Sequence, residues 1–214
     1  MGSALIAGQA EAGQMPERAR KIVDAAYHLL QTEGLEGLTI RAVLLRSGLA
    51  RRAFYDQFAG KDDLVLAVFA QTLRDAATYL GAEIKALPDP MTRLRYIVTS
   101  IVLGSEARTD PDHQHEDRRG AALSREHLRL AESHPAELQS AVRPLIDLIA
   151  TQLADGIAAE QVREAPVQML ATLVYNLVST TVHTELLAEN AAQRTSRQHL
   201  STEIWAFCRR AIAA

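Results

Sequence analysis

Residues 39–61, TIRAVLLRSGLARRAFYDQFAGK, decide the fold. They read as two short helices hinged on a glycine, followed by the entry to a third. Thr39 is the expected N-cap of the first helix, because its hydroxyl can accept from an early N–H that has no partner within the helix. Ile40, Val43 and Leu44 give that helix one apolar side. Gly48 supplies the backbone freedom that a tight turn needs. The second helix is predicted over about residues 50–57, with Phe54 and Phe58 turned inward. Arg51 and Arg52 open it, at the end that a helix-turn-helix inserts into the major groove of DNA.

Charge supports this placement. Residues 39–61 hold Arg41, Arg46, Arg51, Arg52 and Lys61 against the single acid Asp56, a net of +4. The whole chain carries −3, so the residues outside this stretch are acidic. A local positive patch on an acidic protein is the electrostatic footprint of phosphate contact. A solvated amphipathic helix shows the same pattern, so charge alone does not separate the two readings.

Taken with the preceding KIVDAAYHLLQTEGLEGLTI, the stretch resembles the DNA-binding domain of the tetracycline-repressor (TetR) family of bacterial regulators. The likeness runs through Gly34 to Thr39, Gly48-Leu49, Phe54-Tyr55, Phe58 and Lys61 to Asp63-Leu64, about residues 18–70. The resemblance implies that Thr39, Tyr55 and Lys61 touch phosphates, with Arg41 beside them. It implies that Arg51, Arg52 and Ala53 face base edges; an arginine held bidentate on guanine discriminates by about 1–3 kcal/mol. Two positions depart from the family pattern. Ala50 stands where a Ser or Thr is usual, so the recognition helix is expected to lack a side-chain cap, at a cost of about 0.5–2 kcal/mol. Leu44 stands where an alanine is usual, at the crossing of the two helices.

At 214 residues the chain is long enough for one or two domains with a sizeable core. Many alanines and leucines and few aromatics favour helix over sheet, and an all-α fold is expected. One cysteine, Cys208, excludes an intrachain disulfide and fits a reducing cytoplasm. No apolar run reaches the roughly 18 residues that cross a membrane. Residues 1–15 read as a flexible arm, 16–61 as a three-helix DNA-binding domain and 62–214 as a larger helical domain for ligand binding and dimerisation.

The pattern predicts helices over about residues 16–32, 61–87, 89–103, 120–133, 136–160, 165–187 and 196–214. The second of these leaves the DNA-binding unit and enters the rest of the chain, which makes it the candidate link between them. Asp89-Pro90 is a strong N-terminal signal. Pro144 falls inside a helix and is expected to kink it. Residues 165–187 are apolar on more than one face, as in a helix buried on both sides. Residues 104–119 form a polar loop in which His113 and His115 sit among acids, at a spacing too loose to read as a metal site. No catalytic motif is legible; neither an enzyme nor a cofactor is expected.

The resemblance implies a regulator, a repressor in preference to an activator. Two copies read a palindromic operator, and a small, mostly apolar molecule releases them. Candidate pocket residues are the polar or soft side chains on apolar helices, Tyr96, Ser100, His127, Met169, Tyr175 and Asn176, with Leu103 and Ile149 as walls. Candidate dimer residues are Val174, Val178, His183, Leu200, Ile204, Trp205 and Phe207, with Ile204 and Trp205 expected outside the monomer's core. The alternative is a module of the same fold that binds a ligand or protein without recognising specific DNA.

Overall fold

A computed structural model describes residues 15–104, 129–187 and 196–214. Every named element in them is helical, as the composition leads one to expect. In chain order they are α1 (Glu17–Thr32), α2 (Gly34–Gly37), α3 (Ile40–Ser47), α4 (Arg51–Tyr55), α5 (Lys61–Glu83), α6 (Pro90–Leu103), α7 (Pro135–Ala158), α8 (Val167–Leu187) and α9 (Arg197–Ile212).

The first four helices follow from local chemistry. α1 buries Ile22, Val23, Ala26, Leu29 and Leu30 along one stripe. The single turn α2 is not anticipated by the sequence pattern; Gly34, at φ +70°, swings the chain into it. Thr39 caps α3 by accepting from Ala42 N at 3.1 Å. Gly48, at φ +69°, ends α3 and returns its N–H to Leu44 O at 3.0 Å, the left-handed stop that glycine accepts most readily. α4 is shorter than predicted: after Tyr55 the chain turns, with Asp56 N bonded to Arg52 O and Phe58 N to Phe54 O. Phe54 is fully enclosed and Phe58 nearly so. Leu44 is half-buried against the same core.

α5 is 23 residues long, about 35 Å at the α-helical rise. It stops at Glu83, earlier than predicted, because Ile84–Ala86 tighten into a 3-10 turn before Pro88. Asp89 then caps α6 by accepting from Thr92 N at 3.0 Å and from Thr92 Oγ1 at 2.6 Å. Those bonds hold its carboxyl below the ordinary range. α7 runs through Pro144 and buries Leu138, Val142, Leu145, Ile149 and Leu153.

α5 packs against both α1 and α7, α7 against α6 and α8, and α9 against α6. One continuous apolar cluster extends from Ala19 to Ile212. The 61/62 boundary therefore falls inside a shared helix rather than at a gap. Arg163 fastens the far end, its N–H bonding Ile212 O and its Nε bonding Ala211 O at 2.8 Å.

Two expectations for the last helices are corrected. Among the described residues α8 is covered on one side only: Met169 and Leu173 are each 57% exposed. Ile204 is buried, because it shares the inward side of α9 with Ser201, Cys208 and Ile212 where that helix meets α6. Trp205 is half-buried. The arm at residues 1–14, the His113/His115 loop and most of the predicted 120–133 helix lie outside the described residues.

Candidate nucleic-acid interface and groove

The helix-turn-helix presents its charges on one surface. Arg41, Arg51, Arg52 and Tyr55 are exposed, Thr39 is exposed at the tip of α3, and Lys61 stands half-buried as the first residue of α5. Ala53 is half-buried, so Arg51 and Arg52 reach further into solvent than it does. α4 has no side-chain cap at Ala50; its first turn closes through Ala53 N to Ala50 O at 2.9 Å.

Arg51 is not idle. Its Nη2 donates to Tyr55 Oη at 3.4 Å, and its guanidinium carbon lies 5.5 Å from the centre of the Tyr55 ring. That contact ties a base-reading candidate to a phosphate candidate one turn away. Tyr55 in turn stands edge-on to Phe54, with ring centroids 5.3 Å apart at 80°. The buried Phe54 thus positions the exposed face of α4 from behind.

Acidic residues are managed next to this surface. Asp63 accepts from Ala59 N at 2.9 Å. Asp62 is held by Arg129, whose guanidinium bonds it twice; this lowers the Asp62 pKa against a smaller opposing effect of burial.

A groove of about 400 Å³ opens between α7 and α8. Ala131, Pro135, Leu138, Gln139 and Val142 form one wall, and Tyr175, Asn176, Ser179 and Thr180 the other. None of these side chains is charged. Burial pushes the Tyr175 phenol up to about 12, so it stays a neutral hydrogen-bonding group at any ordinary pH.

Of the pocket candidates, Tyr175 and Asn176 line this groove. The others do not. Tyr96 instead donates to Glu83 Oε2 at 3.3 Å, bridging α6 to the end of α5. Ile149 is sealed in the core, and Met169 faces outward. Ser100 and Leu103 are half-buried on α6, where the Leu103 carbonyl accepts from Arg197 at 3.3 Å. His127 lies outside the described residues. Sequence reading misses Gln139, Ser179 and Thr180, whose uncharged polar side chains give no sign of which neighbour they face.

The dimer candidates also divide. Val174, Val178 and Ile204 are buried within the chain. His183, Leu200 and Trp205 are half-buried and Phe207 is exposed. The outward stripe of α8 is Met169, Leu173, Asn176 and Thr180, at i, i+4, i+7 and i+11. Among the described residues no group of three or more His, Cys, Asp or Glu side chains gathers as a metal site would need. No helix among them is long and apolar enough to cross a membrane.

Comparison with known proteins bears on the helix-turn-helix and on the fold. Residues 22–68 match the family model for bacterial regulatory proteins of the tetR family. The chain is 30% identical over 86 residues to the HTH-type transcriptional regulator BetI of Brucella suis, a match spanning 40% of this chain and 43% of that protein. It thus matches less than half of that relative's length. The solved regulator FadR from Bacillus subtilis, in complex with stearoyl-CoA, superimposes with a TM-score of 0.67 at 15% identity, over 88% of this chain and 96% of that one. A TetR-family regulator from Agrobacterium tumefaciens does so at 0.59 and 22% identity, over 92% and 98%. Residues 22–68 therefore match the tetR-family regulatory domain, and the chain as a whole adopts the helical fold of these solved regulators.

Proposed function

We propose that this chain is a ligand-responsive transcriptional repressor that grips a palindromic operator as a homodimer in the cytoplasm. One observation carries the reading. α4 holds Arg51 and Arg52 out in solvent while Phe54 anchors it in the core. Arg51, Arg52 and Ala53 meet base edges; Thr39, Arg41, Tyr55 and Lys61 meet phosphates. The second copy docks around Met169 and Leu173 of α8 and Phe207 of α9, each 57% exposed, which leaves the Asn176 and Thr180 part of the α8 stripe to the groove. The effector enters the α7–α8 groove. With no charged side chain among its described lining residues, that groove suits an uncharged molecule with an apolar body and a few hydrogen-bonding groups. Ligands carrying phosphates or a fixed cation find no counter-charge in this lining. Binding there releases DNA in proportion to the ligand's preference for the DNA-free state.

The test is selection of duplexes from random DNA by the purified protein, followed by anisotropy against the enriched sequence. Arg52→Ala is expected to relax base preference, whereas Tyr55→Phe weakens specific and random DNA alike. Equal weakening of both DNAs by both substitutions sinks the base-contact assignment.

A second reading keeps the fold and drops sequence-specific DNA binding. The uncapped, five-residue α4 favours it. Under that reading no duplex is enriched, and the groove serves a ligand or protein alone.

A further inference from the structure

A charged clasp joins the first turn of α5 to the wall of the groove. Arg129 donates through Nη1 to Asp62 Oδ2 at 2.9 Å and through Nη2 to Asp62 Oδ1 at 2.7 Å. The fork geometry fixes direction as well as distance. Asp62 is the second residue of α5, directly after Lys61. Arg129 lies 67 residues further along the chain, in a helical turn at residues 129–133 that leads into α7. Leu130 plugs that turn into the core, 1% exposed. Its carbonyl accepts from His134 N at 2.7 Å, so the turn and the start of α7 move together. Ala131 and Pro135 of this same segment line the groove.

We propose that the Arg129–Asp62 pair is the contact through which occupancy of the groove alters the grip on DNA. A molecule lodged between Ala131 and Pro135 on one side and Tyr175 and Asn176 on the other displaces the 129–135 segment. The Arg129 guanidinium moves with it. The first turn of α5, no longer held, then lets Lys61 and the preceding α4 leave their common orientation. This inference rests on the reading of the chain as an effector-responsive DNA binder.

The energetics suit a contact that opens. Its side chains are 46% and 42% exposed, and a pair at that exposure is only weakly stabilising and is screened by salt. A modest displacement is enough to part it. A fully buried pair, by contrast, would lock the two halves together.

The test uses amide hydrogen exchange, in two arms. In the free protein, Asp62→Asn and Arg129→Gln are each compared with the wild type and with the charge swap Asp62→Arg/Arg129→Asp. Each single substitution is expected to raise exchange about two- to fivefold in residues 51–66 and 129–138, and the swap to restore it. The two singles remove opposite ends, so a folding defect in one does not imitate the other. Exchange unchanged in both singles overturns the clasp. In the second arm a duplex enriched by the wild-type protein is added. It is expected to slow exchange over residues 129–142 in the wild type and to leave it unchanged in Arg129→Gln, since coupling between sites is reciprocal. That readout lies away from the DNA surface, so the altered charge beside Lys61 does not confound it. A duplex that binds without slowing these residues overturns the clasp and leaves DNA binding standing. A wild-type chain that enriches no duplex overturns the DNA-binding reading and the clasp's regulatory role, while the first arm still decides whether the tie exists.

Discussion

Phe54→Ala asks whether one side chain places the recognition helix. α4 has five residues and no side-chain cap, far too few to persist as an isolated helix in water. Phe54 is its one buried residue, with no exposed surface. It lies edge-on to Tyr55 at 5.3 Å and tilted on Phe58 at 5.7 Å. Truncating such a side chain costs about 3–5 kcal/mol, of which the ring geometry accounts for about 0.5–1.5 kcal/mol. Set against a total stability of about 5–15 kcal/mol, the loss leaves the large core folded and α4 without its anchor. Phe54→Leu keeps most of the volume and costs less than about 1.5 kcal/mol. Urea unfolding followed by circular dichroism gives the first quantity, and anisotropy with a selected duplex gives the second. Phe54→Ala is expected to lose more than about tenfold in DNA affinity, equivalent to about 1.4 kcal/mol, under conditions where most helicity survives. A stability cost under about 1 kcal/mol, within reach of ordinary surface changes, refutes the argument. So does full DNA affinity in a clearly destabilised variant.

Gly48→Ala is expected to cost about 1–2 kcal/mol by urea unfolding. No atom lies within 4 Å of the added Cβ while φ is +69°, so the penalty is conformational rather than a clash. Leu173→Glu is expected to halve the solution mass measured by sedimentation, whereas Val178→Ala lowers stability and leaves the mass alone. Cys208, buried, has its thiol pushed up to about 11. The fold prefers the protonated form, so stability is full below about pH 8.5, where the unfolded thiol titrates, and falls as pH rises toward 11. The melting temperature of Cys208→Ala should accordingly decline less steeply than that of the wild type between about pH 8.5 and 10.5. Asp62 has its pKa lowered by the bond from Arg129, so its contribution is present above about pH 4 and disappears as pH falls through the depressed value. Arg129→Gln should therefore lie below the wild type by at most about 1 kcal/mol at neutral pH, with the gap closing in acid.

How far the sequence could be read depended on the range of the interaction. Thr39, Gly48, Phe54 and Asp89 act within four residues of themselves, and the structure places each as its local pattern predicts. The turn at Gly34–Gly37 escaped notice because four residues carry no periodicity. α8 was harder. A helix apolar on several sides does not reveal which of them meets its own chain: Val174 and Val178 prove buried there, while Met169 and Leu173 are exposed. The same ambiguity put Ile204 on the wrong side of α9. The groove depends on how the consecutive helices α7 and α8 pack on each other, which no local pattern encodes. Only Tyr175 and Asn176 among its lining residues stood out beforehand.

The brevity of α4 limits how much sequence one copy can distinguish. Two arginines reading one guanine each supply about 2–6 kcal/mol of discrimination. Picking a single address among roughly a million competitors needs about 8 kcal/mol, at 1.4 kcal/mol per decade. One chain falls short of that figure. A pair of chains on symmetric half-sites doubles the discrimination to about 4–12 kcal/mol, which spans the requirement. On the function proposed above, so short a reading head would make genomic selectivity a property of the assembly, set by how rigidly its two heads are spaced.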